Sequence, residues 1–143
     1  MKDEELRAWA YLSAVAEPPC APLIALVDDV GAVAAAAAIK QRAVPSAHRR
    51  VLVPTEARAA VDRSAQDLET CERIGARLVT RDDADWPAWQ LLALDRADTA
   101  ARGGAPLALW VRGPRTCAEI ADSSLALIGS RAASSYGDYV AGQ

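Results

Sequence analysis

The sequence is poor in the residue types that build metal and disulfide sites. Its 143 residues include three cysteines and a single histidine, His48. Cys20, Cys71 and Cys117 are odd in number and widely spaced, and no Cys-x-x-Cys pair is present. Both features argue against a zinc site or a disulfide framework. We expect free, buried thiols in a reducing cytoplasm, and no cofactor.

The sequence also has no strong excess of charge of one sign. Its formal net charge is −3. Residues 1–72 hold eight Lys and Arg residues against eleven Asp and Glu residues, and residues 73–143 hold eight of each. A module that binds duplex DNA typically shows a clear basic excess. Any contact with nucleic acid must therefore use a local basic cluster rather than the overall charge.

Long apolar runs are missing as well. Residues 30–39 are apolar and rich in alanine, but a transmembrane helix needs about 20 apolar residues. The N-terminal segment at residues 2–5, which carries three acidic residues and one lysine, lacks the apolar segment of a signal peptide. We therefore expect a cytoplasmic protein that does not contact membranes. With 52% apolar residues, the chain can bury one full core, or one small domain plus part of another.

Apolar residues recur at helical spacing in the first half of the sequence. They predict helices over residues 4–16, 22–30, 33–40 and 55–75, with a connection at residues 43–54. Thr55 is expected to cap the long fourth helix and Gly75 to end it. Trp9 is expected to anchor the core. Residues 1–74 are therefore predicted to form an all-α domain.

Strand patterns appear in the second half of the sequence. They predict strands over residues 77–80, 107–111 and 125–128, and a short helix over residues 116–121. Asp82 or Asp83 is expected to cap another helix, whose Trp86 and Trp89 face inward. The predicted class is α/β overall, and residues 75–143 are predicted to begin a layered α/β domain.

The segment after the last predicted strand has the pattern of a phosphate-binding turn. The apolar run at residues 125–128 stops at Gly129, and a helix is expected to begin near Ser134. Backbone N–H groups at a helix start have no intrahelical partner and can hold a phosphate. Ser130 adds a hydroxyl group, and Arg131 adds a planar guanidinium that matches phosphate oxygens. The alternative is an ordinary strand-to-helix turn with a solvated arginine, and the pattern alone favours neither.

The same residues resemble a known family. Gly129-Ser130-Arg131, followed by Ser134 and Tyr136-Gly137, is similar to the opening of the Rossmann-like domain in the DNA-processing protein family called DprA or Smf. Other segments that fit the family in order are residues 7–19, which resemble the start of its N-terminal helical domain, and residues 78–80, 82–87 and 106–113. The resemblance covers nearly the whole chain.

The resemblance implies an N-terminal helical domain of the sterile-alpha-motif (SAM) or helix-hairpin-helix type over residues 1–74. Over residues 75–143 it implies the beginning of an extended Rossmann-like DNA-binding domain. The implied protein is not an enzyme: it binds single-stranded DNA, protects incoming strands in natural transformation, helps load a RecA-type recombinase and forms a homodimer. The implied nucleic-acid-binding residues are Gly129, Ser130, Arg131 and Ser134.

The sequence departs from the family in two respects. The family's second Gly-rich stretch, its later strands and its usual dimer surface are absent, so we expect an N-terminal part with an incomplete sheet. Homodimerisation is accordingly expected of the intact protein rather than of this chain. The predicted hairpin at residues 28–31 has a single glycine, Gly31. Asp28 and Asp29 lie close before it and would repel phosphate. This favours a structural or protein-contact role for the hairpin.

Two other functions stay open. Rossmann-like proteins include enzymes that hydrolyse nucleotide-type substrates, for which Glu119 and Asp122 are the nearest acid/base candidates, although no motif supports them. The chain could instead be a protein-interaction module that acts through its acidic helical half. We interpret the small basic cluster His48-Arg49-Arg50 as a solvated turn.

Overall fold

The computed structural model describes residues 3–95, 104–125, 132 and 134–142. Within these residues the chain forms eight α-helices, one 3₁₀ helix and one two-stranded sheet. In chain order the elements are α1 (Asp3–Val15), α2 (Ala21–Val30), α3 (Ala32–Lys40), the 3₁₀ helix (Ser46–Val51), α4 (Leu52–Thr55), α5 (Ser64–Arg73), β1 (Ala76–Thr80), α6 (Ala88–Asp95), β2 (Ala108–Arg112), α7 (Cys117–Asp122) and α8 (Ser135–Ala141).

Helix α1 lies at the centre of the core. Trp9, Leu12 and Val15 are almost fully buried, and Trp9 is only 2% exposed. This confirms the prediction that Trp9 is a core residue. Helices α3 and α5 and both strands pack against α1. Because burying one large apolar side chain contributes roughly 1.5–3 kcal/mol, this helix supplies a large part of the folding free energy.

Helices α2 and α3 form a tight hairpin beside α1. Pro22 lies in the first turn of α2, where its missing N–H costs no hydrogen bond. Gly31 joins the two helices with a φ of +80°, a left-handed conformation that glycine adopts without strain. Ala35 and Ile39 of α3 are fully buried, since small side chains let the helices approach closely. The predictions of these three helices are confirmed.

The region after α3 differs from its prediction. The expected connection contains the 3₁₀ helix and α4, and no long helix runs from Thr55 to Gly75. Thr55 instead ends α4. Its buried hydroxyl group donates to the Val51 carbonyl at 2.7 Å and accepts a hydrogen bond from Arg42 at 3.0 Å. A hydroxyl group bonded back to its own helix does not cap a following one.

Asp62 sets the start of the shorter helix that does form. Its carboxylate accepts hydrogen bonds from the backbone N–H of Ser64 at 3.0 Å and from the Ser64 hydroxyl group at 2.6 Å. Such local side-chain bonds compete with helical hydrogen bonding and interrupt a helix. Gly75 follows α5 with a φ of +66°, so the predicted glycine stop is confirmed although the predicted start is wrong.

The two strands form an antiparallel pair. The register runs from Ala76 opposite Arg112 to Thr80 opposite Ala108. Leu78 of β1 is buried in the same apolar core as the first three helices. The sheet therefore packs directly on the helical half of the chain.

The coarse fold class agrees with the prediction. The described residues form a mainly helical structure with a small antiparallel sheet, which is compatible with an α/β class. Leu107, just before β2, joins the core beside Leu78. The third predicted strand, at residues 125–128, lies outside the described residues except for Leu125, which is exposed.

The predicted capping role of Asp82 or Asp83 is wrong. Helix α6 begins at Ala88, which lies too far along the chain for either carboxylate to cap it. Asp83 instead accepts hydrogen bonds from the backbone N–H of Thr80 at 2.7 Å and from its hydroxyl group at 2.8 Å, which closes the turn after β1. Trp89 is 81% exposed rather than buried, because α6 turns this side toward solvent.

No helix in the described parts of the chain combines the length and the apolar character needed to span a bilayer.

Candidate nucleic-acid interface

The predicted phosphate-binding turn falls at the edge of the described structure. Gly129, Ser130 and Arg131 lie outside the described residues, so their role stays a prediction. Ser134 is described, and it is the N-cap residue of α8. Its Oγ accepts a hydrogen bond from the Gly137 N–H at 3.2 Å. The predicted start of a helix at Ser134 is therefore confirmed.

The start of α8 has one feature that favours anion binding and one that opposes it. Ser134 satisfies one of the four amides that have no intrahelical partner, which leaves the others for an external acceptor. Asp138 places a carboxylate in the first turn, where it competes with phosphate for the same positive end of the dipole. A phosphate contact at this turn therefore stays a prediction.

Two tyrosines on α8 were missed as candidate functional residues. Tyr136 and Tyr139 are 78% and 66% exposed. Exposed aromatic rings beside a basic groove can stack on the bases of a single strand. The available signal was their spacing, because residues three apart lie on the same face of a helix.

An ion pair from the sheet holds the helix that leads toward the predicted turn. Arg77 of β1 donates to Asp85 at 2.8 Å, and the other oxygen of Asp85 accepts from the Cys117 N–H of α7 at 2.7 Å. The Arg77 guanidinium and, next, the Cys117 N–H hold the pKa of Asp85 below its usual range. Arg77 also donates to the carbonyls of Gly113 and Arg115. These bonds fix β1 and the start of α7 relative to one another.

Helix α7 begins with a capping box. The Thr116 hydroxyl accepts from the Glu119 N–H at 3.2 Å, and the Glu119 carboxylate accepts from the Thr116 N–H at 2.7 Å. The hydrogen bonds from Thr116 lower the pKa of Glu119. The Asp122 carboxylate accepts from Gln90 at 3.3 Å. Both acid/base candidates of the enzyme hypothesis thus make structural hydrogen bonds.

Comparison with known proteins identifies curated relatives of the chain. Two curated sequences from Mycobacterium tuberculosis, strains CDC 1551 / Oshkosh and ATCC 25618 / H37Rv, are each named DNA processing protein DprA. Each is 46% identical to this chain over 143 residues, which is 99% of the chain. The chain is a homologue of the DprA proteins. The family resemblance drawn from its motifs is therefore confirmed.

The chain spans 36% of the length of these curated DprA relatives, and the match corresponds to their N-terminal part. No family model matches the chain, and no solved structure matches it significantly.

In this DprA homologue the acidic hairpin between α2 and α3 makes an ion pair and a hydrogen bond to neighbouring elements. Asp28 lies 3.3 Å from Arg81, which follows β1, and Asp29 lies 2.9 Å from His48 of the 3₁₀ helix. Both aspartates therefore connect the hairpin to neighbouring elements. Arg49 and Arg50, the other members of the basic cluster, are exposed.

The cysteines are separate free thiols. Cys71 and Cys117 are buried and Cys20 is partly buried. Burial raises the pKa of all three thiols, which keeps them in the neutral form. In the described ranges, no group of three or more His, Cys, Asp or Glu residues is arranged to hold a metal ion.

Proposed function

We propose that the chain is part of a DprA-type protein that binds single-stranded DNA without catalysing a reaction. The observation that carries this proposal is the 46% identity over 99% of the chain to proteins named DNA processing protein DprA. In the intact protein, this binding would protect incoming strands in natural transformation. A RecA-type recombinase and a second copy of the protein are its proposed partners, and the cytoplasm is its proposed location.

The proposed contact joins a phosphate site to a base-stacking surface. Gly129, Ser130 and Arg131 would bind a backbone phosphate in the turn before α8, with Ser134 fixing the start of that helix. Tyr136 and Tyr139 on α8 offer exposed rings for the adjacent bases. Single-strand binders combine these two kinds of contact, because every base has a face that can stack on an aromatic ring.

The proposed domain organisation follows the family. A SAM or helix-hairpin-helix type domain at residues 1–74 would precede the beginning of a Rossmann-like domain at residues 75–143. The end of α5 and the positive φ of Gly75 lie at the proposed boundary between these two domains. The shared core of Leu78 with the helical half supports a close attachment of the two parts.

A titration of fluorescent oligo-dT tests the proposal. We expect a longer polypeptide that continues this chain to bind with strong salt dependence, because binding releases counterions from the phosphates. The 143-residue chain should bind weakly or not at all. Absence of binding by the longer polypeptide would contradict the proposal, and turnover of a nucleoside monophosphate would favour the enzyme alternative.

A further inference from the structure

An open apolar groove lies between α1, α5 and the sheet. Its volume is about 320 Å³. Ala14 of α1 lines one side, Cys71 of α5 and Ile74 just after this helix line another, and Trp110 of β2 lines the sheet side. None of the described lining residues belongs to α8. The described part of the groove is therefore distinct from α8.

Large apolar side chains border this groove. Ile74 is 47% exposed and Trp110 is 43% exposed, whereas Cys71, which also lines the groove, is buried. Apolar surface that faces water is unfavourable, and covering it is a main driving force of association. A volume near 300 Å³ is at the lower end of the range for ligand pockets, enough for one or two side chains of a partner.

Among the described lining residues of the groove, Asp67 supplies the only carboxylate. It is half-buried, and the described contacts include no hydrogen bond or ion pair to its side chain. A carboxylate that has lost part of its water without gaining a donor favours the approach of a cation.

Two arginines that line an adjoining cleft do not pair with this carboxylate. Arg58 and Arg63 line a second cleft that shares Ala14 and Asp67 with the groove. Arg58 pairs with Glu17, and Arg63 is exposed. No ion pair of either arginine with Asp67 is present among the described contacts. The described contacts therefore leave the Asp67 carboxylate open to a cation.

We propose that this groove docks a protein segment that places an apolar side chain between Ile74 and Trp110 and a lysine or arginine on Asp67. Apolar anchors that lie in a groove are a common mode of peptide recognition. The charge pair fixes the direction of the segment and excludes acidic competitors. This docking neither requires nor supplies the proposed DNA contact, so each can fail without the other.

Nuclear magnetic resonance of the ¹⁵N-labelled 143-residue chain tests the docking site. The probes are three synthetic peptides of equal length: one combines leucine with lysine, one leucine with glutamate and one serine with lysine. We expect the leucine–lysine peptide to bind most tightly and to shift the amide signals of Thr70, Cys71 and Ile74 together with the indole signal of Trp110. Equal or tighter binding of the leucine–glutamate peptide would overturn the proposal, as would shifts confined to other surfaces or no binding at all.

Matched substitutions on α5 separate the charge contact from general effects. Asp67→Asn should weaken binding of the leucine–lysine peptide by about threefold, as for a partly exposed ion pair, and should abolish its advantage over the leucine–glutamate peptide. Glu69→Gln is the control, because Glu69 lies on the opposite side of the same helix. Trp110→Ala should weaken binding by about tenfold. If sedimentation instead shows the chain associating with itself through this groove, with Ile74→Glu restoring the monomer, the proposed occupant is wrong.

Discussion

Arg77 and Asp85 form an ion pair in which the guanidinium Nη2 lies 2.8 Å from the carboxylate Oδ2. The pair connects three parts of the second half of the molecule, because Asp85 also accepts from the Cys117 N–H and Arg77 also donates to the Gly113 and Arg115 carbonyls. Only a planar side chain with several donors can satisfy these acceptors together. The attachment of α7 to the sheet therefore depends on one arginine.

We expect Arg77→Ala to lower the melting temperature and to speed hydrogen exchange at the amides of α7. Arg77→Lys should recover only part of the loss, because an ammonium group cannot bond in a plane to Asp85 and to two carbonyls. Arg73→Ala is the matched control, since exposed Arg73 bonds only to Thr70 of its own helix. Equal effects of the changes at positions 73 and 77 would show that the ion pair does not hold α7.

The ion pair of Lys40 with Asp62 should make stability depend on acid pH. Lys40 and then Ser64 lower the pKa of Asp62 to about 2, and the Lys40 Nζ lies 2.6 Å from the carboxylate. A lowered pKa in the folded state adds stability above the unfolded value of about 3.9, and this is lost as the pH falls toward 2. Because the pair is partly exposed, its contribution should be about 1 kcal/mol.

Urea unfolding at a series of pH values measures this contribution. Asp62→Asn retains an oxygen acceptor for Ser64 but removes the charge, so its free energy of unfolding should change less between pH 5 and pH 2 than that of the wild type. Asp82→Asn, at an exposed aspartate, serves as the comparison. The same acid dependence in the Asp62→Asn variant and in the wild type would assign the effect to other carboxylates.

The buried Tyr11 hydroxyl group should stabilise the fold and lose its proton only at a pH above the usual range for tyrosine. It donates to the Ala59 carbonyl at 2.7 Å, and burial and then the Asp62 charge raise its pKa to about 12. Its contribution is therefore fully present below pH 10 and is lost as the pH rises through the folded-state value. Tyr11→Phe should cost about 1–2 kcal/mol, because it removes the bond and leaves a buried carbonyl without its donor.

Ultraviolet absorbance titration and urea unfolding together check the role of Tyr11. One tyrosine should ionise about two pH units above the exposed ones and should disappear from the titration curve of Tyr11→Phe. Tyr139→Phe, at an exposed position, should leave stability within about 0.5 kcal/mol of the wild type. A normal titration of Tyr11 would contradict the burial of its hydroxyl group near Asp62.

The first three helices were predictable because their apolar spacing and their breakers agree. Prolines and Gly31 mark their ends, so local sequence and tertiary packing indicate the same boundaries. The long helix predicted from Thr55 was wrong. No glycine or proline lies between Thr55 and Ile74, so the sequence shows no sign of the break. What interrupts it is a set of side-chain hydrogen bonds, from Arg42 to Thr55 and from Ser64 to Asp62. The first of these depends on tertiary structure.

The candidate site was predictable only in part. Ser134 was found because serine before a helix start is a strong N-cap signal, and its bond from Gly137 is present. Tyr136 and Tyr139 were not predicted as site residues, because the turn motif indicates phosphate ligands and not rings that stack on bases. The inward orientation predicted for Trp89 was wrong because an apolar residue on a short helix does not reveal which side meets the core.

The most direct test of the proposed function is the salt dependence of oligo-dT binding by a longer polypeptide that continues this chain, compared with its Arg131→Ala variant. Arg131→Ala should weaken binding by about tenfold. It should also reduce the slope of log K against log salt concentration by about 1, which is the effect of losing one phosphate contact. Arg50→Ala, at an exposed arginine of the helical half, should change neither quantity. Unchanged affinity and slope in the Arg131→Ala variant would contradict the assignment of the phosphate contact to this turn.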